Sequence, residues 1–240
     1  MNAYATAVRV LRQLRHDPRT VALVLVVPCV LVTLIKYVFE GSPVFDRIGG
    51  PLLGIFPLIS MFLVTSITML RERTTGTLER LMTMPLAKLD LLGGYGLAFA
   101  LVAAVQGTIT SVVAFGLLDV QTAGPRYAFV LLAIANALLG MSLGLFLSAF
   151  ATTEFQAVQF MPAVIIPQLL LAGLLVPRDR MPAALRYASD VLPFTYAYEA
   201  LAKIARDDVD GRLALDIGIV LGSVVLALML GALTLRRRTP

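Results

Sequence analysis

Residues 51–70 read PLLGIFPLISMFLVTSITML, and residues 71–85 directly after them read RERTTGTLERLMTMP. The first run has no charged residue, while the second has five in its first ten positions. A bilayer-spanning helix needs about 20 mostly apolar residues, and a charge at its centre costs roughly 2.5–3.5 kcal/mol on insertion scales. The chain therefore leaves the membrane at Arg71, and residues 71–85 are expected to form a short cytoplasmic element.

Five further apolar stretches flank this one: Val21 to Phe39, Leu91 to Leu118, Tyr127 to Phe150, Phe155 to Val176 and Leu213 to Leu235. Hydrophobic residues make up 58% of the chain and charged ones 15%, with a mean hydropathy of +0.86; ordinary soluble domains carry roughly 25% charged residues. The expected fold is an all-α membrane protein with six transmembrane helices in a single unit over 1–240. The first stretch is read as a retained anchor, because its apolar core is longer than a signal peptide's and Gly41 to Phe45 offers no small-residue cleavage site. Cys29, the one cysteine, allows no intramolecular disulfide. His16, the one histidine, has no Cys or carboxylate cluster beside it, so no metal site is expected.

Cytoplasmic loops retain an excess of Lys and Arg. Arg9, Arg12, Arg15 and Arg19 precede the first span, Arg71, Arg73, Arg80 and Lys88 follow the second, and Arg236 to Arg238 follow the sixth. The short loops of the opposite side hold only Lys36, Arg47 and Arg126. Both termini are thus expected in the cytoplasm. The net charge of +5 follows from this topology, and no nucleic-acid partner is expected, because the basic residues are spread over loops rather than gathered on one face.

In residues 1–20, Tyr4, Val8, Leu11 and Leu14 recur at helical spacing, with Arg9, Arg12, His16 and Arg19 on another side. Two readings fit: an interfacial helix along the inner membrane surface that carries Arg9, Arg12 and Arg15, or a basic tail that only sets topology. Leu78, Leu81 and Met82, at i, i+3 and i+4, share a helical face within the charged island. Here too a solvated turn competes with a helix that touches a partner.

Inside the spans, Lys36 and Asp216 are the ionisable residues, both near the outer ends, where they can pair across helices. Gln106 and Asn136 lie at mid-depth of the third and fourth spans, where a hydrogen bond between them is the preferred reading over a contact with cargo. Gly140, Gly144 and Ser148 form one small-residue stripe and Gly218 with Gly222 another, both suited to close helix approach. Residues 177–212 are too polar to span, yet they show helical pattern broken at Leu192-Pro193. They read as two short helices dipping into the outer leaflet, which is permitted where protein or water shields the backbone.

Several of these stretches together resemble the integral-membrane subunit of type-2 ABC transporters. Arg71-Glu72-Arg73, Gly76-Thr77-Leu78-Glu79-Arg80-Leu81, Met84-Pro85 and Gly93-Gly94 carry the resemblance in the centre. Leu147-Ser148-Ala149, Thr152-Thr153-Glu154, Pro162, Pro167, Ala172-Gly173, Val176-Pro177, Met181-Pro182 and Leu192 to Tyr196 carry it toward the C-terminus, and Asp17-Pro18-Arg19-Thr20 with Pro28 at the start. The flavour is that of drug-resistance export permeases of the daunorubicin type.

The resemblance implies a coupling helix in residues 71–90, built from Arg71, Glu72, Arg73, Gly76, Thr77, Leu78, Glu79, Arg80, Leu81 and Pro85, that docks on a separate ABC ATPase. It implies two such ATPase subunits, which bind ATP and Mg, and a second permease copy or paralogue; this chain itself binds no cofactor. It also implies a translocation path between the second and fifth spans, with Ser60, Phe62, Thr65, Ser66 and Met69 facing Phe155, Gln156, Gln159 and Phe160. A re-entrant outer gate over 177–212 would use Met181, Pro182, Pro193, Phe194 and Tyr196. The setting is the plasma or inner membrane, among its lipids, and the cargo is an amphiphilic or hydrophobic compound moved outward. No catalytic residue is expected: none of the three lysines follows a glycine, so the phosphate-cradling G-x-x-x-x-G-K-[ST] loop is missing. A stand-alone secondary carrier or channel is the alternative, although carriers of that kind place ionisable residues near the midplane.

Overall fold

In a computed structural model, residues 3–40, 43–77, 88–208 and 211–234 are described. Among them are nine α-helices and no strand. They are α1 (Ala3–Arg15), α2 (Pro18–Val38), α3 (Pro43–Thr74), α4 (Lys88–Val112), α5 (Arg126–Leu147), α6 (Glu154–Leu171), α7 (Ala183–Asp190), α8 (Pro193–Ala205) and α9 (Arg212–Thr234). Six are long and apolar enough to cross a membrane: α2, α3 over Gly49–Thr74, α4 with its π-helical end over Gly93–Leu117, α5 with a 3-10 turn over Arg126–Phe150, α6, and α9.

The centre of the bundle is the pair α3 and α5. Gly140 and Gly144 on α5 explain their proximity: a Cβ on Gly140 would sit 2.0 Å from the Leu58 carbonyl oxygen, and one on Gly144 would sit 2.5 Å from that of Phe62. Only a hydrogen fits in that space, so α5 rests directly on the α3 backbone. Thr65 takes advantage of the approach, donating to Met61 O at 2.6 Å on its own helix and lying 3.2 Å from Met141 O across the interface. Gly218 and Gly222, by contrast, meet nothing within 4 Å.

Helix α2 contacts the bundle through one narrow face, Val24, Pro28 and Val32, at i, i+4 and i+8. Pro28 has no N–H, so the carbonyl of Val24 loses its helical donor, and in a bilayer an orphaned carbonyl has no water to turn to. Gln106 of α4 supplies the replacement, donating Nε2 to Val24 O at 2.9 Å. Asn136 donates instead to Leu132 O of its own helix at 3.1 Å and packs against Gly54. The expected Gln106–Asn136 bond is therefore not formed, because a proline-made vacancy on α2 claims the Gln106 amide.

The fifth span is shorter than expected. It ends at Leu171 rather than Val176, since Gly173 adopts φ +100°, a left-handed conformation that closes the helix and that residues with a side chain rarely adopt. At 1.5 Å per residue its 18 residues measure about 27 Å, slightly less than the roughly 30 Å hydrocarbon core. The chain then passes through a 3-10 turn, Arg178–Arg180, into α7 and α8. These two helices break at Leu192-Pro193 as the sequence indicated, with Pro193 as the first helical residue of α8.

The two are unequal. Along α7 only Ser189 is buried, while α8 buries Phe194, Ala197, Leu201 and Ile204 and packs against α3, α5 and α9. Gln168 of α6 accepts the backbone N–H of Phe194 at 3.3 Å, which satisfies one first-turn donor of α8. Lys203 of α8 donates to Asp216 of α9 at 2.8 Å. The partner found for Asp216 is thus Lys203 rather than the expected Lys36, because α8 inserts beside α9 and brings its ammonium to the buried carboxylate.

Candidate functional site

At one end of the bundle, α1, the last turn of α3 and the first turns of α4 meet. Helix α1 lies against α4, where Gly94 admits it: a Cβ there would come within 2.4 Å of Thr6 Cβ and 2.7 Å of Ala3 O. The packed face of α1 is Thr6, Ala7 and Val10. Tyr4 is exposed, while Val8, Leu11 and Leu14 are only partly covered. The apolar stripe that the sequence displays is therefore not the face that seats α1 on the protein.

Of the basic residues, Arg12 and Arg15 are exposed, but Arg9 turns inward. Its guanidinium donates to Glu72 Oε1 of α3 at 3.2 Å and to the Tyr95 hydroxyl of α4, and lies 5.6 Å from the centre of the Tyr95 ring. Gln13 donates to the same Glu72 oxygen at 3.3 Å. Glu72 is 6% exposed and Tyr95 fully buried. A carboxylate so placed is tolerable only with its charge matched and its lone pairs occupied. The sequence offered one signal for this joint: Thr6, Arg9 and Gln13 at i, i+3 and i+7 form a polar stripe.

Arg71, Glu72 and Arg73 belong to the end of α3 and not to a separate helix. The helix closes just beyond them, with Thr75 N–H bonding to Arg71 O at 2.9 Å and Gly76 at φ +71°. Thr77 lies next to this turn, its hydroxyl 3.0 Å from that of Thr75. Leu78, Glu79, Arg80, Leu81 and Pro85 lie outside the described residues. Arg71 makes a two-pronged pair with Glu154 at the start of α6, at 2.7 and 3.1 Å. Both side chains are more than half exposed, so the pair fixes geometry more than it adds stability.

Of the residues assigned to a path, Ser60 lines a cavity of about 580 Å³ between α1, α2 and α3. Phe62, Thr65, Ser66 and Met69 are fully buried within the chain. The turn of α3 explains the split: Ser60, Leu63, Ile67 and Arg71 follow one stripe facing the cavity, while Gly140 and Gly144 draw the opposite face inward. On α6, Phe155 is 72% exposed and Gln159 exposed, whereas Phe160 is partly buried against the core. Gln156 serves the start of its own helix, accepting from Thr152 N at 2.8 Å while its N–H bonds to the N-cap hydroxyl of Thr153.

At the opposite end, Arg178 bridges Asp190 of α7 and Glu199 of α8 and donates to Ser189 Oγ at 2.9 Å. Burial pulls its pKa down, but hydrogen bonds and charge from Glu199 and Asp190 outweigh that and raise it. The Tyr196 hydroxyl bonds to Asp190 O at 2.6 Å. Met181 is half-buried, Pro182 exposed, Pro193 half-buried and Phe194 buried. Among the described residues no group of three or more His, Cys, Asp or Glu side chains could hold a metal ion.

Six apolar helices long enough to cross a membrane, with a charge-closed joint at one end of the bundle, define a multi-pass membrane protein. The chain belongs to the ABC-2 type transporter family, whose sequence model matches residues 2–205. It is 27% identical over 177 residues to ABC transporter G family member 20 of Dictyostelium discoideum, covering 74% of this chain and 24% of that protein. Two Escherichia coli proteins, the probable multidrug ABC transporter permeases YbhR and YbhS, are 26% and 22% identical over 65% and 73% of this chain. The alignments take in 43% and 47% of those permeases, so the chain spans less than half the length of the curated relatives it matches.

Proposed function

We propose that this chain is the membrane half of an ATP-driven exporter that moves an amphiphilic or hydrophobic compound outward, with hydrolysis supplied by separate ATPase subunits. The observation that carries the proposal is the Arg9–Glu72–Tyr95 joint. Through it α1, α3 and α4 share one buried ion pair at the end of the bundle where the charged island begins. A displacement delivered to residues 71–85 would reach α3 directly and α1 and α4 through Glu72. A packed and bistable assembly transmits such a push better than a solvated loop.

On this reading Arg71, Glu72, Arg73, Gly76, Thr77, Leu78, Glu79, Arg80, Leu81 and Pro85 form the ATPase-coupling region, and Arg12 and Arg15 lie at the inner membrane surface. Two ATPase subunits bind ATP and Mg, a second permease completes the transporter, and both termini are cytoplasmic. Phe155 and Gln159 on the exposed side of α6 are the better path candidates, since Phe62, Thr65, Ser66 and Met69 are sequestered. Helices α7 and α8, with Met181, Pro182, Pro193, Phe194 and Tyr196, form the outer gate, clamped by Arg178. The carrier reading draws no support from Asp216, whose carboxylate is engaged by Lys203.

The test is to purify the chain from gently solubilised membranes and identify what accompanies it, comparing wild type with Glu79→Arg/Arg80→Glu. An ATPase retained by wild type and lost from the charge-reversed form is the expected result. Absence of any ATPase under conditions that preserve other membrane complexes would overturn the proposal.

A further inference from the structure

The cavity between α1, α2 and α3 has a wall chemistry of its own. Its 580 Å³ lies in the range of sites for drug-sized molecules, which are mostly apolar with a few polar groups that orient the ligand. Leu14, Leu23, Val27, Leu63 and Ile67 supply the apolar wall from all three helices, and Ser60 is a small residue on its floor. Among the described residues three charged side chains reach it: Asp17, Arg71 and Glu72.

Their charges do not cancel. Glu72 is matched by Arg9, and Arg71 is held by both oxygens of Glu154 outside the cavity wall. Asp17 has no ion-pair partner among the described residues: it is the N-cap of α2, accepting from the Thr20 N–H at 3.2 Å and hydroxyl at 2.6 Å, with the Arg19 N–H beside it and Arg71 acting on it at longer range. A carboxylate that accepts two such bonds stays ionised at neutral pH. The cavity thus offers an apolar interior, one carboxylate at its mouth that no ion pair among the described residues neutralises, and a volume suited to a single small molecule. We propose that this cleft is a binding site for a lipophilic cation, with the cationic centre beside Asp17 and the apolar body between α2 and α3. The site lies on the stripe of α3 opposite the one packed on α5, is distinct from the α6 face assigned to the path, and needs no ATPase.

The full chain, reconstituted in phosphatidylcholine nanodiscs, would be titrated with tetraphenylphosphonium and with its anionic counterpart of the same shape, tetraphenylborate. Empty discs supply the background. Saturable binding of the cation, and weaker binding of the anion, is expected for wild type. Asp17→Asn keeps the helix cap, because Asn caps as well as Asp, and removes the charge. Its affinity for the cation should fall about fivefold, the scale of one partly solvated charge pair. Ser60→Phe fills the floor and should abolish binding of both ions. If Ser60→Phe does not fold, Asp17→Asn decides alone. No saturable binding above empty discs, equal binding of cation and anion, or an unchanged affinity in Asp17→Asn would overturn the proposal. None of these results bears on ATPase co-purification, so the two readings fail independently.

Discussion

Replacing Gln106 by Leu should destabilise this protein only while Pro28 is in place. In wild type the Gln106 amide donates to Val24 O at 2.9 Å, filling the vacancy that Pro28 creates one turn along α2. Gln106→Leu leaves that buried carbonyl unsatisfied, a loss of about 1–3 kcal/mol in general. Interhelical hydrogen bonds measured within membranes average about 0.6 and reach about 1.7 kcal/mol. Gln106 Oε1 is itself buried without a partner among the described residues, so its removal returns part of the loss. A net cost of about 1 kcal/mol follows. In Pro28→Ala the new backbone N–H reaches Val24 O, and the same Gln106→Leu change should cost close to nothing. The assay is a double-mutant cycle on reversible unfolding in mixed micelles, where 1 kcal/mol corresponds to about 2–4 °C for a chain of this size. Additivity of the two substitutions within about 0.3 kcal/mol, the ordinary behaviour of uncoupled sites, would refute the repair of Pro28 by Gln106.

Two further outcomes follow from the helix packing and the cap. Gly140→Ala drives a Cβ to 2.0 Å from Leu58 O and must push α3 from α5, so thermal unfolding should show a loss of about 1–3 kcal/mol; Gly218→Ala, with nothing within 4 Å, should show none. The Asp17 carboxylate is held below its ordinary 3.8 by the Thr20 hydroxyl first and the Thr20 N–H second. A depressed folded pKa stabilises above the unfolded value, and that contribution is lost as pH falls through the folded one. Acid titration of stability should therefore show a decline as pH falls through and below about 3.8 that is smaller in Asp17→Asn, the remainder coming from Glu154, which Arg71 also holds low; an unchanged acid limb in that variant would remove Asp17 from the account.

The six spans, the break at Leu192-Pro193 and the charged island were legible in the sequence because each rests on a local rule. Apolar runs of about twenty residues must cross the bilayer, proline lacks the N–H that a helix interior uses and so suits the first turn of a new helix, and charges are expelled from hydrocarbon. The end of the fifth span was misplaced by five residues because hydropathy continues through Ala172 to Val176, while only the backbone reveals that Gly173 is left-handed. Pairings were not legible. Gln106 chose Val24 over Asn136, Asp216 is met by Lys203, and Arg9 left the polar surface for Glu72. Each of these depends on which helices lie side by side and at what rotation, and the same polar side chain is satisfied equally well by any donor or acceptor within reach. Hydrophobicity and backbone chemistry act residue by residue, and so the chain alone determined how often it crosses the membrane and where it turns. Rotation of each helix is decided by close contact, here by Gly140, Gly144 and Gly94 admitting a neighbouring helix, and so only the tertiary structure decided which face of α3 is buried against α5 and which lines the cavity beside α2.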